Sequence, residues 1–227
     1  MGNEYTARLE HVEGAVKRRA YDSPRRREQA AATRRVILEA AERLFAQRGY
    51  VGTSVADIAE RAGVALKTVY AAFGTKAEVL RALWNLRMRG DEDPVPIPER
   101  QSYREVVAEP SPRRRLALLA HNVRVIRERT GALPEIVRLA APADEQIAGL
   151  WARFERDLYE LGMRPIAETL ERDGVLAVDA TTATDILWTL THPDLYRLLV
   201  RQRGWSADRY ETWLADVMRS QLLRRPR

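Results

Sequence analysis

Lys67, Thr68 and Tyr70 fall within one short run, LKTVYAAF (66–73), which Gly74 closes and Thr75 and Lys76 follow. Lysine pairs with guanine acceptors or phosphate, threonine donates or accepts, and a tyrosine hydroxyl donates to phosphate. Small residues such as Ala71 permit close approach to a base edge. The chain holds 38 lysines and arginines, but only Lys17, Lys67 and Lys76 are lysines, and two of these bracket this run. Helical spacing sets Leu66, Val69 and Phe73 on one inward face, directs Lys67, Thr68, Ala71 and Ala72 outward, and leaves Tyr70 at the edge. Lys76 falls in the first turn of the next helix, at the wrong end of its dipole unless an anion lies nearby. DNA phosphate would supply that anion.

No comparable constellation supports catalysis. The three histidines, His11, His121 and His192, are far apart in sequence, without a nucleophile motif, a glycine-rich phosphate loop or metal-ligand spacing. No catalytic residue, metal site or cofactor is therefore expected, and the chain reads as a non-enzyme. The absence of cysteine excludes disulfides and thiolate metal sites and fits a reducing compartment. A small-molecule pocket has better candidates in Trp151, Phe154, Tyr159 and Trp188, with His121 beside an apolar helical stripe. The same aromatic spacing also serves a plain core. His192, just before Pro193, reads as structural or solvated.

These residues need helices to position them, and the sequence supplies helical periods throughout. Ser23-Pro24 provides a cap and a first helical position. Ile37, Ala40, Ala41, Leu44 and Phe45 make one stripe that ends near Gly49. Ser54 and Asp57 resemble a capping box opening a short helix with Val55, Ile58, Ala59 and Ala62, stopped by Gly63. Thr75 and Glu78 form another box before Val79, Leu80, Leu83 and Trp84. Residues 91–112 contain five of the 11 prolines and read as a connection rather than a helix. Further stripes follow: Leu116/Leu119/Val123/Ile126, then Ile147/Leu150/Trp151/Phe154/Leu158/Leu161, and one around Leu187–Leu199 interrupted by Pro193. The last helix is expected near 207–223. No two-residue alternation predicts a strand. The expected fold is all-α: a mobile basic arm (1–23), a helix-turn-helix unit (24–90, motif about 54–73), the proline-rich connection (91–112), and a larger ligand-binding and dimerisation domain (113–227).

Charge agrees with that division. Residues 1–90 carry 17 Lys and Arg against 10 Asp and Glu, whereas 91–227 carry 21 against 22, so the net +6 resides in the first part. A polyanion is expected to bind there. No apolar run reaches membrane-spanning length, and the first residues lack a secretory signal, so a soluble cytoplasmic protein without membrane contact is expected.

The stretch ILEAAERLFAQRGYVGTSVADIAERAGVALKTVYAAFGTKAEVLRALW (37–84) resembles the DNA-binding domain of the TetR family of bacterial transcriptional regulators. The AA-x-x-LF helix, Gly49-Tyr50, Thr53-Ser54, Ile58-Ala59, Ala62-Gly63-Val64, Thr68-Val69-Tyr70, Phe73 and Lys76 carry the likeness. Residues 187–223 are similar to the C-terminal segment of many members. The resemblance implies that Thr53 and Ser54 meet phosphate at the start of the second helix. Lys67 and Thr68 would contact bases and phosphate, Tyr70 would contact phosphate, and Lys76 would clamp it. Ala65 and Leu66 stand where a serine cap and a polar or basic residue are common, and Ala71 and Ala72 replace the frequent aromatic or histidine. Thymine-methyl contact or DNA shape would then carry more of the specificity. The resemblance also implies a homodimer joined through helices near 180–201 and 206–223, and a small-molecule effector that changes the spacing of the two recognition helices. The expected function is a ligand-responsive repressor on a palindromic double-stranded operator. An enzyme or small-molecule carrier with a basic localisation domain, and a sequence-indifferent architectural DNA binder, are the alternatives.

Overall fold

The computed structural model describes residues 24–89 and 96–224. The basic arm at 1–23 lies outside them, as does part of the proline-rich stretch. The fold is all-α. Twelve α-helices run in the order α1 (Pro24–Arg48), α2 (Val55–Ala62), α3 (Leu66–Phe73), α4 (Lys76–Arg89), α5 (Gln101–Ala108), α6 (Pro112–Thr130), α7 (Leu133–Ala140), α8 (Glu145–Asp157), α9 (Arg164–Arg172), α10 (Ala180–Thr191), α11 (Pro193–Tyr196) and α12 (Ala207–Leu222). The β-pairing among the described residues is an isolated bridge, Leu176 to Leu223.

Two apolar cores organise these helices. The first gathers Ile37 and Phe45 of α1, Ile58 of α2, Val69 of α3 and Leu80, Leu83 and Trp84 of α4. It continues into Leu133, Val137 and Ala140 of α7 and Ile147 of α8, so its packing does not stop near residue 90. The second is built on α6 and α12: Leu116, Leu119 and Val123 meet Tyr210, Leu214 and Met218, with Ile166 and Leu170 of α9 and Leu187 of α10.

The proline-rich stretch differs from expectation. A short 3₁₀ turn, Ile97–Glu99, leads into α5, whose Val106 is buried. Its prolines lie before and after residues 101–108, where they cannot break the helix. Between α8 and α9 the chain widens into a π segment, Leu158–Met163. The extra residue per turn shifts the helical phase, which explains why Leu161, expected on the buried stripe, is exposed. Pro193 interrupts α10 as expected: His192 caps α11, its Nδ1 accepting from the Asp194 N–H at 3.3 Å.

Candidate nucleic-acid interface

The α2–turn–α3 unit is built from local signals. Ser54 Oγ accepts from the Asp57 N–H at 3.1 Å, and the Asp57 carboxylate accepts from the Ser54 N–H at 2.8 Å, a complete reciprocal cap. The two bonds from Ser54 hold the Asp57 carboxyl below its usual range. α2 ends at Gly63 in a left-handed conformation, φ 66°, which a side chain would strain. The Val64 N–H then returns to the Ala59 carbonyl at 3.0 Å and sets the turn.

α3 is anchored from beneath and open on its outer side. Val69 is 1% exposed within the first core; burying such a side chain stabilises by about 1.5–3 kcal/mol. Phe73 packs against the same core, and the Arg34 guanidinium of α1 lies 4.2 Å above its ring. Arg34 also donates to the Ala72 carbonyl at 2.5 Å, tying the end of α3 to α1. Lys67, Tyr70 and Ala71 are exposed, while Thr68 and Ala72 are half-buried. Ala65 caps α3 without a side-chain hydrogen bond, so its first N–H groups remain open to an external acceptor. A helix with one packed face and one carrying a cation, a phenol and small residues can present donors to a DNA groove.

Three expected placements change. Leu66 is 43% exposed rather than inward, because α3 begins there and its first residue projects past the core. Thr53 is 1% exposed, and its hydroxyl donates to the Gly49 carbonyl at 2.8 Å instead of facing outward toward phosphate. Ser54 remains exposed. Lys76, expected to clamp phosphate, directs its ammonium inward, donating to the carbonyls of Tyr50 and Thr53, each at 2.9 Å. It also lies 4.2 Å over the Tyr50 ring. Burial holds its pKa below the ordinary value, with Asp144 opposing that shift. The box at Thr75 and Glu78 is half-formed: Thr75 Oγ1 accepts from the Glu78 N–H, but the Glu78 carboxylate takes Arg81 Nε at 2.9 Å.

Lys76 belongs to a junction that sequence reasoning missed. The Tyr50 hydroxyl donates to Asp144 Oδ2 at 2.5 Å, and Asp144 Oδ1 caps α8 by accepting from the Gln146 and Ile147 N–H groups. Burial and the adjacent carboxylate push the Tyr50 phenol upward. The partners lie 94 residues apart. A D-x-Q cap signal at 144–146 was readable in the sequence, but its tyrosine partner was not.

Four of the five expected pocket residues are linked in space. Trp151 and Phe154 of α8 meet Trp84 of α4 at ring-centroid distances of 6.4 and 5.1 Å. The His192 ring stands 6.0 Å from Trp151 and 5.7 Å from Trp188, and Trp188 lies 6.4 Å from Tyr159. The Tyr159 hydroxyl donates to Asp185 at 2.9 Å. His121 is not among them. It is exposed beside Glu211, because the buried face of α6 carries 116, 119, 120, 123 and 127. His192 instead joins the aromatic string, and burial lowers its pKa despite nearby Asp194.

Residues 37–83 match the family model for bacterial regulatory proteins of the tetR family. They lie within a region 51% identical over 59 residues to the HTH-type transcriptional regulator TtgR of Pseudomonas putida. The chain belongs to the TetR family. The TtgR match covers 26% of this chain and 28% of that relative; AcrR of Shigella flexneri is 38% identical over 60 residues, with the same coverage. The chain thus spans about 28% of the length of the curated relatives it matches. Two solved structures share the TetR-family fold over a longer stretch. The SmeT–triclosan complex has TM-score 0.66 and 22% identity, covering 85% of this chain and 92% of that one. NalD of Pseudomonas aeruginosa, the secondary repressor of the MexAB-OprM multidrug efflux pump, has TM-score 0.66 and 22% identity, covering 87% and 98%.

Proposed function

We propose that this TetR-family chain is a dimeric, sequence-specific DNA-binding transcriptional regulator of the cytoplasm, a repressor that a small molecule releases from a palindromic operator. The observation that carries this reading is the position of α3: Val69 is held in the core while Lys67, Tyr70 and Ala71 are exposed. In the bound complex α3 enters the major groove. Lys67 reaches a base edge or phosphate, Thr68, Ala71 and Ala72 lie close to the bases, and Leu66 supplies apolar contact to a thymine methyl. Tyr70, Ser54 and the open N–H groups beginning at Ala65 hold the backbone. Relatives named as transcriptional regulators, and a structural neighbour named as a repressor, support the same reading. It is a reading of a regulator rather than of an enzyme. A dimer through α10 and α12 would place two copies of α3 on half-sites about 34 Å apart, one helical turn of DNA.

The effector acts by preferring one spacing of the recognition helices, with coupling on the order of 1–3 kcal/mol. The aromatic string from Trp188 through His192, Trp151 and Phe154 to Trp84 of α4 is the physical route we assign to that coupling. Selection of bound duplexes from a random pool tests the reading. An enriched inverted repeat with half-sites one turn or a multiple apart is expected; recovery of DNA without sequence preference would overturn it.

A further inference from the structure

Arg127 of α6 is 5% exposed. One terminal nitrogen donates to the Thr191 carbonyl at 2.6 Å, near the end of α10. Its Nε and other terminal nitrogen are buried without a hydrogen-bond partner, and no carboxylate among the described residues forms an ion pair with it. Burial pushes the guanidinium down to about 10, which leaves it charged at neutral pH. Removing a charge from water costs several kcal/mol unless an opposite charge and hydrogen bonds compensate. A single carbonyl does not do this.

The surroundings are rich in donors. Nε1 of Trp188 and the hydroxyl of Tyr210 are also buried without partners. Arg127 lines a small cavity with Ala132, Pro134, Pro193 and Arg201, where Glu135 and Asp194 are the acids. Both acids face other cations: Asp194 lies 3.3 Å from Arg197 and 4.0 Å from Arg138, and Glu135 lies 4.0 Å from Arg197. The cavity volume is about 20 Å³, enough for one water-sized group. A water would supply an acceptor but leave the charge uncompensated.

We propose that Arg127 is the charge anchor of a binding site for a monocarboxylate, whose head group enters this cavity and whose apolar body lies along the Pro134 and Pro193 side. A single negative charge matches a single unpaired guanidinium. A dianion would meet Glu135 and Asp194 on the same lining. The inference names the chemical class of the effector and rests on the effector reading only for its consequence on DNA.

Calorimetry on the full chain, comparing benzoate with benzamide and octanoate with octanamide at constant chloride, tests it. Binding at least tenfold tighter for one acid than for its amide is expected, a difference of about 1.4 kcal/mol. Arg127→Met should erase that preference while leaving selection of a DNA sequence without ligand intact. Equal binding of acid and amide, no binding of either acid, or a response reproduced by chloride would overturn the site, and the wild-type comparison decides this even if the variant fails to fold. Loss of acid binding with DNA selectivity intact would sink the carboxylate site alone. Acid binding without DNA selectivity would sink the regulator reading alone.

Discussion

Tyr50→Phe removes one hydroxyl at the junction between the DNA-binding unit and α8. That hydroxyl donates to Asp144 at 2.5 Å, and Tyr50 is buried while Asp144 is half-buried. A hydrogen bond to a charged group contributes about 1.5–3 kcal/mol. Because Asp144 keeps its bonds to the start of α8 and some access to water, the lower end applies, about 1.5 kcal/mol. Asp144→Ala loses the same bond and the α8 cap, which adds about 1 kcal/mol, for a total near 2.5. In the Asp144→Ala background the hydroxyl has nothing to bond, so Tyr50→Phe should there cost close to zero. Urea unfolding of the four proteins of this cycle measures the difference as a coupling energy of about 1.5 kcal/mol. Equal costs for Tyr50→Phe in both backgrounds would refute the bond's contribution. An unchanged denaturant slope is the check that stability alone has moved.

Lys76→Met leaves two backbone carbonyls without their shared donor and should destabilise by about 2–3 kcal/mol; a weaker salt dependence of DNA binding with stability unchanged would instead restore the phosphate-clamp expectation. His192 supplies a pH prediction. Its folded pKa lies below its ordinary value of 6.5 because of burial, so the unfolded chain takes the proton first. Stability is therefore present above about pH 6.5 and is lost as pH falls toward the folded value. His192→Asn should flatten that fall in thermal melts between pH 7 and pH 5, and an identical slope would remove His192 as its source. Tyr70→Phe should weaken DNA binding without altering the selected sequence; a changed sequence would make Tyr70 a base contact.

Short-range features of the interface were legible in the sequence. The Ser54–Asp57 cap and the glycine stops carry their own chemistry, and the three-and-four spacing placed Val69 and Phe73 inward. Leu66 followed the same spacing but lies at a helix start, where periodicity does not guarantee a neighbour. Lys67 and Lys76 looked alike by type and differ by tertiary context: the carbonyls that receive Lys76 belong to residues 26 and 23 positions earlier. The α5 helix was hidden by the prolines on either side of it. At the ligand end, aromatic spacing found Trp151, Phe154 and Trp188, but Arg127 looked like one more arginine in a basic run. Its significance depends on burial and missing partners, which composition and periodicity do not encode.

Recognition by α3 is tested most directly by repeating the random-pool selection with Lys67→Ala beside the wild-type chain. Base reading by Lys67 predicts relaxed preference at one position in each half-site, symmetric about the dyad, with an affinity loss of about 1–3 kcal/mol. A uniform loss across all sequences would reduce Lys67 to a phosphate contact. An unchanged sequence at unchanged affinity would contradict the placement of α3 on DNA.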